Sequence, residues 1–143
     1  MQLTQAPISF EEKDKRAASP VVLVIDDKPA IREMLSWVLS LQGYQPVCIT
    51  NGQEALEWIE GARHTQQYPD AILLDLLMPV MNGEKFLARL RAQWDAPVPI
   101  PPVILLTVDK GSHEDLACST VLMKPFHIND LYERLKLCLR ERR

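Results

Sequence analysis

The residues of this sequence best suited to chemistry are five polar side chains, each placed directly after a short apolar run: Asp26, Asp27, Asp75, Thr107 and Lys124. Three carboxylates held close together repel one another unless a cation lies between them. Oxygen-only ligands favour Mg²⁺, with Mn²⁺ as the alternative, over zinc. A carboxylate can attack a phosphoryl group while a metal and an ammonium group offset the charge on its oxygens. The pattern therefore indicates phosphoryl transfer through an aspartyl phosphate.

The elements that must position these side chains follow from the apolar pattern. Five short apolar runs are typical of strands, and most of them have the continuous pattern of strands buried on both faces: residues 21–25, 44–49, 71–74, 103–106 and 120–123. Helical spacing of apolar residues follows each run, weakly in the fourth case: residues 29–42, 51–61, 86–94, 111–119 and 128–139. Gly43 and Gly61 are expected to end the first two helices. Because parallel strands need crossover helices, the alternation predicts a doubly wound α/β fold.

A parallel sheet would bring the polar side chains together. The carboxyl ends of its strands lie at one edge, where such proteins bind ligands. A plainer alternative is that the acids only cap helices. That alternative explains each acid singly but does not explain Lys124-Pro125 together with Thr107.

Composition indicates the class of protein. The chain has 143 residues, of which 47% are hydrophobic, and a net charge of −3, so one globular domain is expected over residues 20–143 after a flexible tail, residues 1–19. Nothing in the charge pattern or in the apolar runs argues for nucleic-acid binding or a membrane span, and a cytoplasmic location is expected. Cys48 and Cys138 are interpreted as small core residues. The three histidines, His64, His113 and His127, are interpreted as surface residues.

The motifs together resemble the receiver domain of two-component response regulators. They are the acid pair at 26 and 27, the stretch LLDLLMPVMNG around Asp75, Thr107, and Lys-Pro-Phe at 124–126, and the resemblance covers about residues 20–143. It implies a flavodoxin-like five-stranded sheet in the order 2-1-3-4-5. It also implies a phosphoacceptor signalling domain rather than an enzyme, because such a domain catalyses only its own phosphorylation and dephosphorylation.

The resemblance assigns a role to each motif residue. Asp75 would be the phosphoacceptor. Asp27 would bind Mg²⁺ directly and Asp26 mostly through water, while Asp75 and the backbone carbonyl of Leu77 would complete the protein ligands. Thr107 would be the switch hydroxyl that turns toward the phosphoryl group.

Two further motif positions match the family. Lys124 would bridge to Asp75, with a cis peptide bond before Pro125. Gly83 corresponds to the family's loop glycine.

The resemblance also implies partners. A sensor histidine kinase or a histidine phosphotransfer protein would donate the phosphoryl group, and a downstream protein would read the signal. Direct contact with nucleic acid and a membrane partner are not expected, and a homodimer is left open.

Three departures from the family pattern are visible. Val121 stands where an aromatic switch residue is usual, so the signal would have to pass through backbone or loop shifts. Thr107 and Lys124 are only 17 positions apart, which predicts a shortened or disordered fourth helix over residues 111–119 and an unusual output interface. Leu77 and Asp109 occupy positions that influence hydrolysis of the phosphoryl group.

Two other functions remain as alternatives. A degenerate receiver would act as a binding module that needs no phosphorylation, as Val121 and the short segment suggest. A phosphohydrolase of the haloacid-dehalogenase type would need a second acid two residues after Asp75, where this chain has Leu77.

Overall fold

The computed structural model describes residues 19–108 and 120–141. Within these ranges five strands and four helices are numbered here in chain order. The strands are β1 (Val21–Ile25), β2 (Gln45–Ile49), β3 (Ala71–Asp75), β4 (Val103–Thr107) and β5 (Thr120–Met123). The helices are α1 (Pro29–Leu41), α2 (Gly52–Thr65), α3 (Gly83–Gln93) and α4 (Ile128–Glu141).

The five strands form one parallel sheet in the order β2-β1-β3-β4-β5. The predicted order 2-1-3-4-5 is therefore confirmed. In the register of the sheet, Ile25 lies opposite both Ile49 and Leu74, and Asp75 lies opposite Leu106. The carboxyl ends of the strands thus meet at one edge.

Helices cover both faces of the sheet, as the continuous apolar strands require. On one face, Leu23, Ile25 and Leu74 pack in a cluster with buried residues of α2 and α3. On the other face, Val24 and Leu73 pack with buried residues of α1 and α4. Because successive strand residues point to opposite faces, a single apolar run supplies both cores.

Two helix starts follow from asparagine caps. The Asn51 side chain accepts a hydrogen bond from the Glu54 N–H at 2.9 Å, and the Asn82 side chain accepts one from the Lys85 N–H at 2.9 Å. Each bond satisfies a backbone donor that the first turn of a helix leaves without a partner. The second cap begins α3 immediately after the loop that follows Asp75.

The prediction that Gly61 ends the second helix is wrong. The helix α2 continues to Thr65, and its C-cap is Gln66, which has a left-handed φ of 58°. Ala62, the next residue along the chain, is buried, so continuing the helix by one turn removes apolar surface from water. This burial offsets the unfavourable free energy of having glycine, a poor helix former, at position 61.

The interpretation of Cys48 as a core residue is also wrong. Its side chain is exposed because β2 is an edge strand, whereas Cys138 is buried as expected. His64 and His127 are exposed, in agreement with their interpretation as surface residues.

Some predictions lie outside the described residues. They concern the tail up to residue 18, Asp109, His113 and the helix over residues 111–119. In the two described ranges, no helix combines the length and the apolar character needed to cross a bilayer.

Candidate functional site

The carboxyl edge of the sheet contains the buried polar residues of the described chain: Asp26, Asp75 and Thr107. Asp26 follows β1, Asp75 is the last residue of β3, and Thr107 is the last residue of β4. Lys124 follows β5, and its backbone N–H donates to the Thr107 carbonyl at 2.8 Å. The sheet therefore brings together these four residues, as the sequence predicted.

Three carboxylates form the acidic part of this edge. Asp26, Asp27 and Asp75 each offer an oxygen, and these oxygens lie within 4.8 Å of one another. Asp26 is oriented by its neighbours, since its side chain accepts from the Lys28 N–H at 2.9 Å and its carbonyl accepts from Arg32 Nη1 at 2.8 Å. Three carboxylates without sulfur or imidazole match the preference of Mg²⁺. The donor set fits that ion.

Lys124 pairs with two of the acids from one side. Its Nζ is 3.3 Å from Asp26 Oδ2 and 3.6 Å from Asp75 Oδ1. The side chain is only 15% exposed, so its position is held by the surrounding protein. The Lys124-Pro125 peptide bond is cis, as expected.

A second lysine, Lys28, reaches the same acids from the solvent side. Its Nζ is 3.2 Å from Asp75 Oδ2, 3.3 Å from Asp27 Oδ1 and 4.0 Å from Asp26 Oδ1. Partial burial lowers the pKa of this ammonium group, but the hydrogen bond to Asp75 and the nearby negative charges outweigh it, and the net pKa is raised. Lys28 is not among the site residues predicted from the sequence, because its pairing with Asp75 joins residues 47 positions apart.

The loop after Asp75 is fastened closely to the strand end. The Gly83 N–H donates to the Leu76 carbonyl at 2.9 Å, and the Leu77 N–H donates to Asp75 Oδ1 at 3.3 Å. A Cβ atom on Gly83 would lie 2.9 Å from the Leu76 Cα, which is too close. The glycine therefore allows α3 to begin directly against the end of β3. The backbone of Leu77 lies beside the acid, and its side chain is exposed.

Val121 lies away from the carboxylates, in the edge strand β5. Its side chain is partly buried against the cluster that involves α2 and α3, and its carbonyl accepts from Arg134 Nη1 at 2.7 Å. The backbone of β5 is thus connected to α4 at this position.

The family model and the curated relatives that match this chain point to the same family. The family model described as response regulator receiver domain matches residues 22–136. The DNA-binding response regulator MtrA of Mycolicibacterium smegmatis is 34% identical over 119 residues, which are 83% of this chain and 50% of that protein. The response regulator MprA of Mycobacterium ulcerans is 35% identical over 123 residues, with the same two coverages. The chain therefore spans about half the length of these relatives.

Solved structures agree in fold. The chemotaxis protein CheY4 of Vibrio cholerae has a TM-score of 0.71 and 29% identity, and the match covers 85% of this chain and all (100%) of that one. The signal receiver domain of a signal transduction histidine kinase from Syntrophus aciditrophicus has a TM-score of 0.73 and 28% identity, covering 86% of this chain and 92% of the other.

Proposed function

This chain belongs to the response regulator receiver domain family, and on that premise we propose that it accepts a phosphoryl group on Asp75 in a Mg²⁺-dependent reaction. One observation carries the proposal. Asp75 ends a central strand within a group of three carboxylates and has the Lys124 ammonium 3.6 Å from its Oδ1. A nucleophile, a site for a divalent cation and a fixed positive charge thus lie together.

The proposed reaction transfers the phosphoryl group from a phosphohistidine. A carboxylate oxygen of Asp75 forms the new P–O bond while the P–N bond to the donor breaks, and the histidine nitrogen keeps the electron pair and takes up a proton. Lys124, already paired with Asp26 and Asp75, is placed to offset negative charge on the transferred group.

Asp26, Asp27 and Asp75 are the proposed side-chain ligands of the metal, with the Leu77 carbonyl as a fourth protein ligand. Bound Mg²⁺ would neutralise charge on the phosphoryl oxygens. The buried position of Asp26 and Asp75 keeps their oxygens in place before the ion arrives.

Thr107 is the proposed switch residue. It is buried at the end of β4, one position beyond the residue that lies opposite Asp75 in the sheet. Its hydroxyl would donate to the phosphoryl group, and the backbone of β4 and β5 would move with it. Val121 carries no hydroxyl or ring, so this shift would reach α4 through the Val121 carbonyl and Arg134.

The proposed partners follow from the reaction. A sensor histidine kinase or a histidine phosphotransfer protein would donate the phosphoryl group, and a downstream protein would recognise the phosphorylated form. The DNA binding stated in the name of MtrA belongs to that protein.

The test is phosphorylation by a small donor. Wild-type protein incubated with acetyl phosphate and Mg²⁺ is expected to gain the mass of one phosphoryl group, and Asp75→Asn is expected to gain none, because an amide is not a nucleophile of this kind. Addition of EDTA should abolish the gain in the wild type. Intact-protein mass spectrometry gives the measurement.

Asp95→Asn is the matched control, since Asp95 is an exposed acid paired with Arg63 outside the carboxylate group. It should be phosphorylated like the wild type. A wild-type protein that gains no mass would contradict the proposal and favour a phosphorylation-independent binding module. Continuous turnover of a phosphate monoester, lost in Asp75→Asn, would instead favour a phosphohydrolase.

A further inference from the structure

Lys28 places an ammonium group among all three carboxylates of the metal site. Its Nζ is within 3.2–3.3 Å of Asp75 and Asp27 and 4.0 Å from Asp26. We propose that Lys28 is a built-in competitor of Mg²⁺, which holds the site together without metal and must leave before the ion can bind. This inference rests on the proposed function, because it sets the Mg²⁺ concentration at which phosphorylation begins.

The two cations cannot share the site. Mg²⁺ requires oxygen ligands at about 2.0–2.1 Å in a near-octahedral arrangement. An ammonium group in hydrogen-bond contact with Asp27 and Asp75 would lie beside an ion bound to the same carboxylates, and the two positive charges would repel. Binding of Mg²⁺ is therefore an exchange of one cation for another.

Lys28 is the lysine that can move. Its side chain is 54% exposed, whereas that of Lys124 is 15% exposed. The backbone of Lys28 is fixed on both sides, because its N–H donates to Asp26 Oδ1 at 2.9 Å and its carbonyl accepts from the Arg32 N–H at 3.1 Å. The flexible four-carbon stem can thus turn into solvent without disturbing β1 or α1.

The charges of the site determine the direction of the exchange. With Lys28 in place, two ammonium groups offset two of the three negative charges of the acids. With Mg²⁺ in its place, Lys124 and the divalent ion together offset all three. The exchange is favourable at sufficient Mg²⁺, and the lysine raises the concentration that is needed.

The test is direct binding of Mg²⁺ to metal-stripped protein. Isothermal titration calorimetry and amide chemical shifts of wild type, Lys28→Met and Lys28→Arg are compared at fixed ionic strength. Lys28→Met keeps an unbranched stem without the charge and is expected to bind Mg²⁺ about tenfold more tightly, since no ammonium competes. Lys28→Arg keeps the charge and should bind about as weakly as the wild type.

Thermal unfolding supplies a second measurement, which does not depend on phosphorylation. In EDTA, Lys28→Met should have a lower Tm than the wild type, because three acids then share one ammonium group. Saturating Mg²⁺ should raise the Tm of this variant more than that of the wild type. Lys136→Met is the control for net charge, since Lys136 pairs with Glu133 on α4, away from the acids.

The outcomes separate the two proposals. If the wild type binds Mg²⁺ and Lys28→Met binds it no more tightly than the wild type does, the role of Lys28 is overturned and the metal site is left intact. An absence of Mg²⁺ binding in every variant would overturn the metal site and the competitor together. Tighter binding in Lys136→Met as well would show that net charge, rather than Lys28, is responsible, and would also overturn the inference.

Discussion

At the scale of single residues, the loop after Asp75 combines buried anchors with one strained position. Leu76, Met78 and Met81 are buried, whereas Val80 is 80% exposed and has a φ of 69°. The Met81 N–H donates to the Pro79 carbonyl at 2.7 Å, so Val80 is the central residue of a γ-turn with positive φ. This turn is rare and strained, and a β-branched side chain is poorly suited to it.

Replacement of this valine should relieve the strain. Val80→Asn is expected to raise the free energy of unfolding by about 1 kcal/mol, because asparagine tolerates positive φ and the exposed valine contributes little burial. Urea denaturation followed by circular dichroism measures the change. Val98→Asn is the control, because Val98 has no positive φ. An equal increase in the free energy of unfolding in both variants would show that strain in the turn is not the cause of the increase.

The residues of the site were predictable to different extents. Asp26, Asp75, Thr107 and Lys124 could be grouped from sequence because each stands at the end of an apolar run, and parallel strands have only one carboxyl edge. Lys28 could not be added to this group from sequence. Its contact with Asp75 depends on the conformation of a flexible side chain, and the two residues are 47 positions apart. The strain at Val80 was equally hidden, because an exposed valine in a loop gives no pattern.

At the scale of elements, two glycines within helices have opposite environments. A Cβ atom on Gly61, in α2, would meet nothing within 4 Å. A Cβ atom on Gly83, at the start of α3, would meet the Leu76 Cα at 2.9 Å and the Asp75 carbonyl oxygen at 3.1 Å. The sequence shows the same residue type at both positions, and only the packing distinguishes them. A glycine that ends a helix therefore cannot be told by residue type alone from Gly61, which lies inside one.

The same substitution should therefore have opposite effects. Gly61→Ala is expected to stabilise the protein by about 0.5–1 kcal/mol, since alanine has the higher helix propensity. Gly83→Ala is expected to destabilise it by about 1–3 kcal/mol, because the backbone of β3 and α3 must separate. Each variant is the control for the other in chemical denaturation. Destabilisation by both would contradict the open environment of Gly61.

At the scale of the whole molecule, the folded state holds certain protons more tightly than the unfolded chain. Burial raises the pKa of the Tyr44 phenol. Neighbouring atoms also keep part of the water away from the exposed Cys48 thiol, and this partial desolvation raises its pKa against the opposing effects of Arg32 and Ser36. A group with a raised pKa contributes its full stability below its unfolded pKa and loses it as the pH rises through the folded pKa. Stability should thus decline on the alkaline side.

The expected result is a Tm that falls as the pH rises from about 8 to 11, because thiols ordinarily titrate near 8.5 and phenols near 10. Tyr44→Phe should have the same Tm as the wild type at neutral pH, and above about pH 10 its Tm should fall less than that of the wild type. Trp37→Phe is the control, since this exposed aromatic residue does not titrate. A Tyr44→Phe variant that declines in parallel with the wild type would exclude Tyr44 as a cause.

The ion pair between Asp26 and Lys124 has a consequence for biosynthesis. Its two partners lie 98 positions apart, and Lys124 reaches the acid only when β5 has been added to the sheet beside β4. A nascent or truncated chain can therefore contain Asp75 and most of the core while it still lacks the ammonium group that the proposed reaction needs. Under that proposal, only completely folded chains would be phosphorylated, and unfinished chains would not transmit the signal.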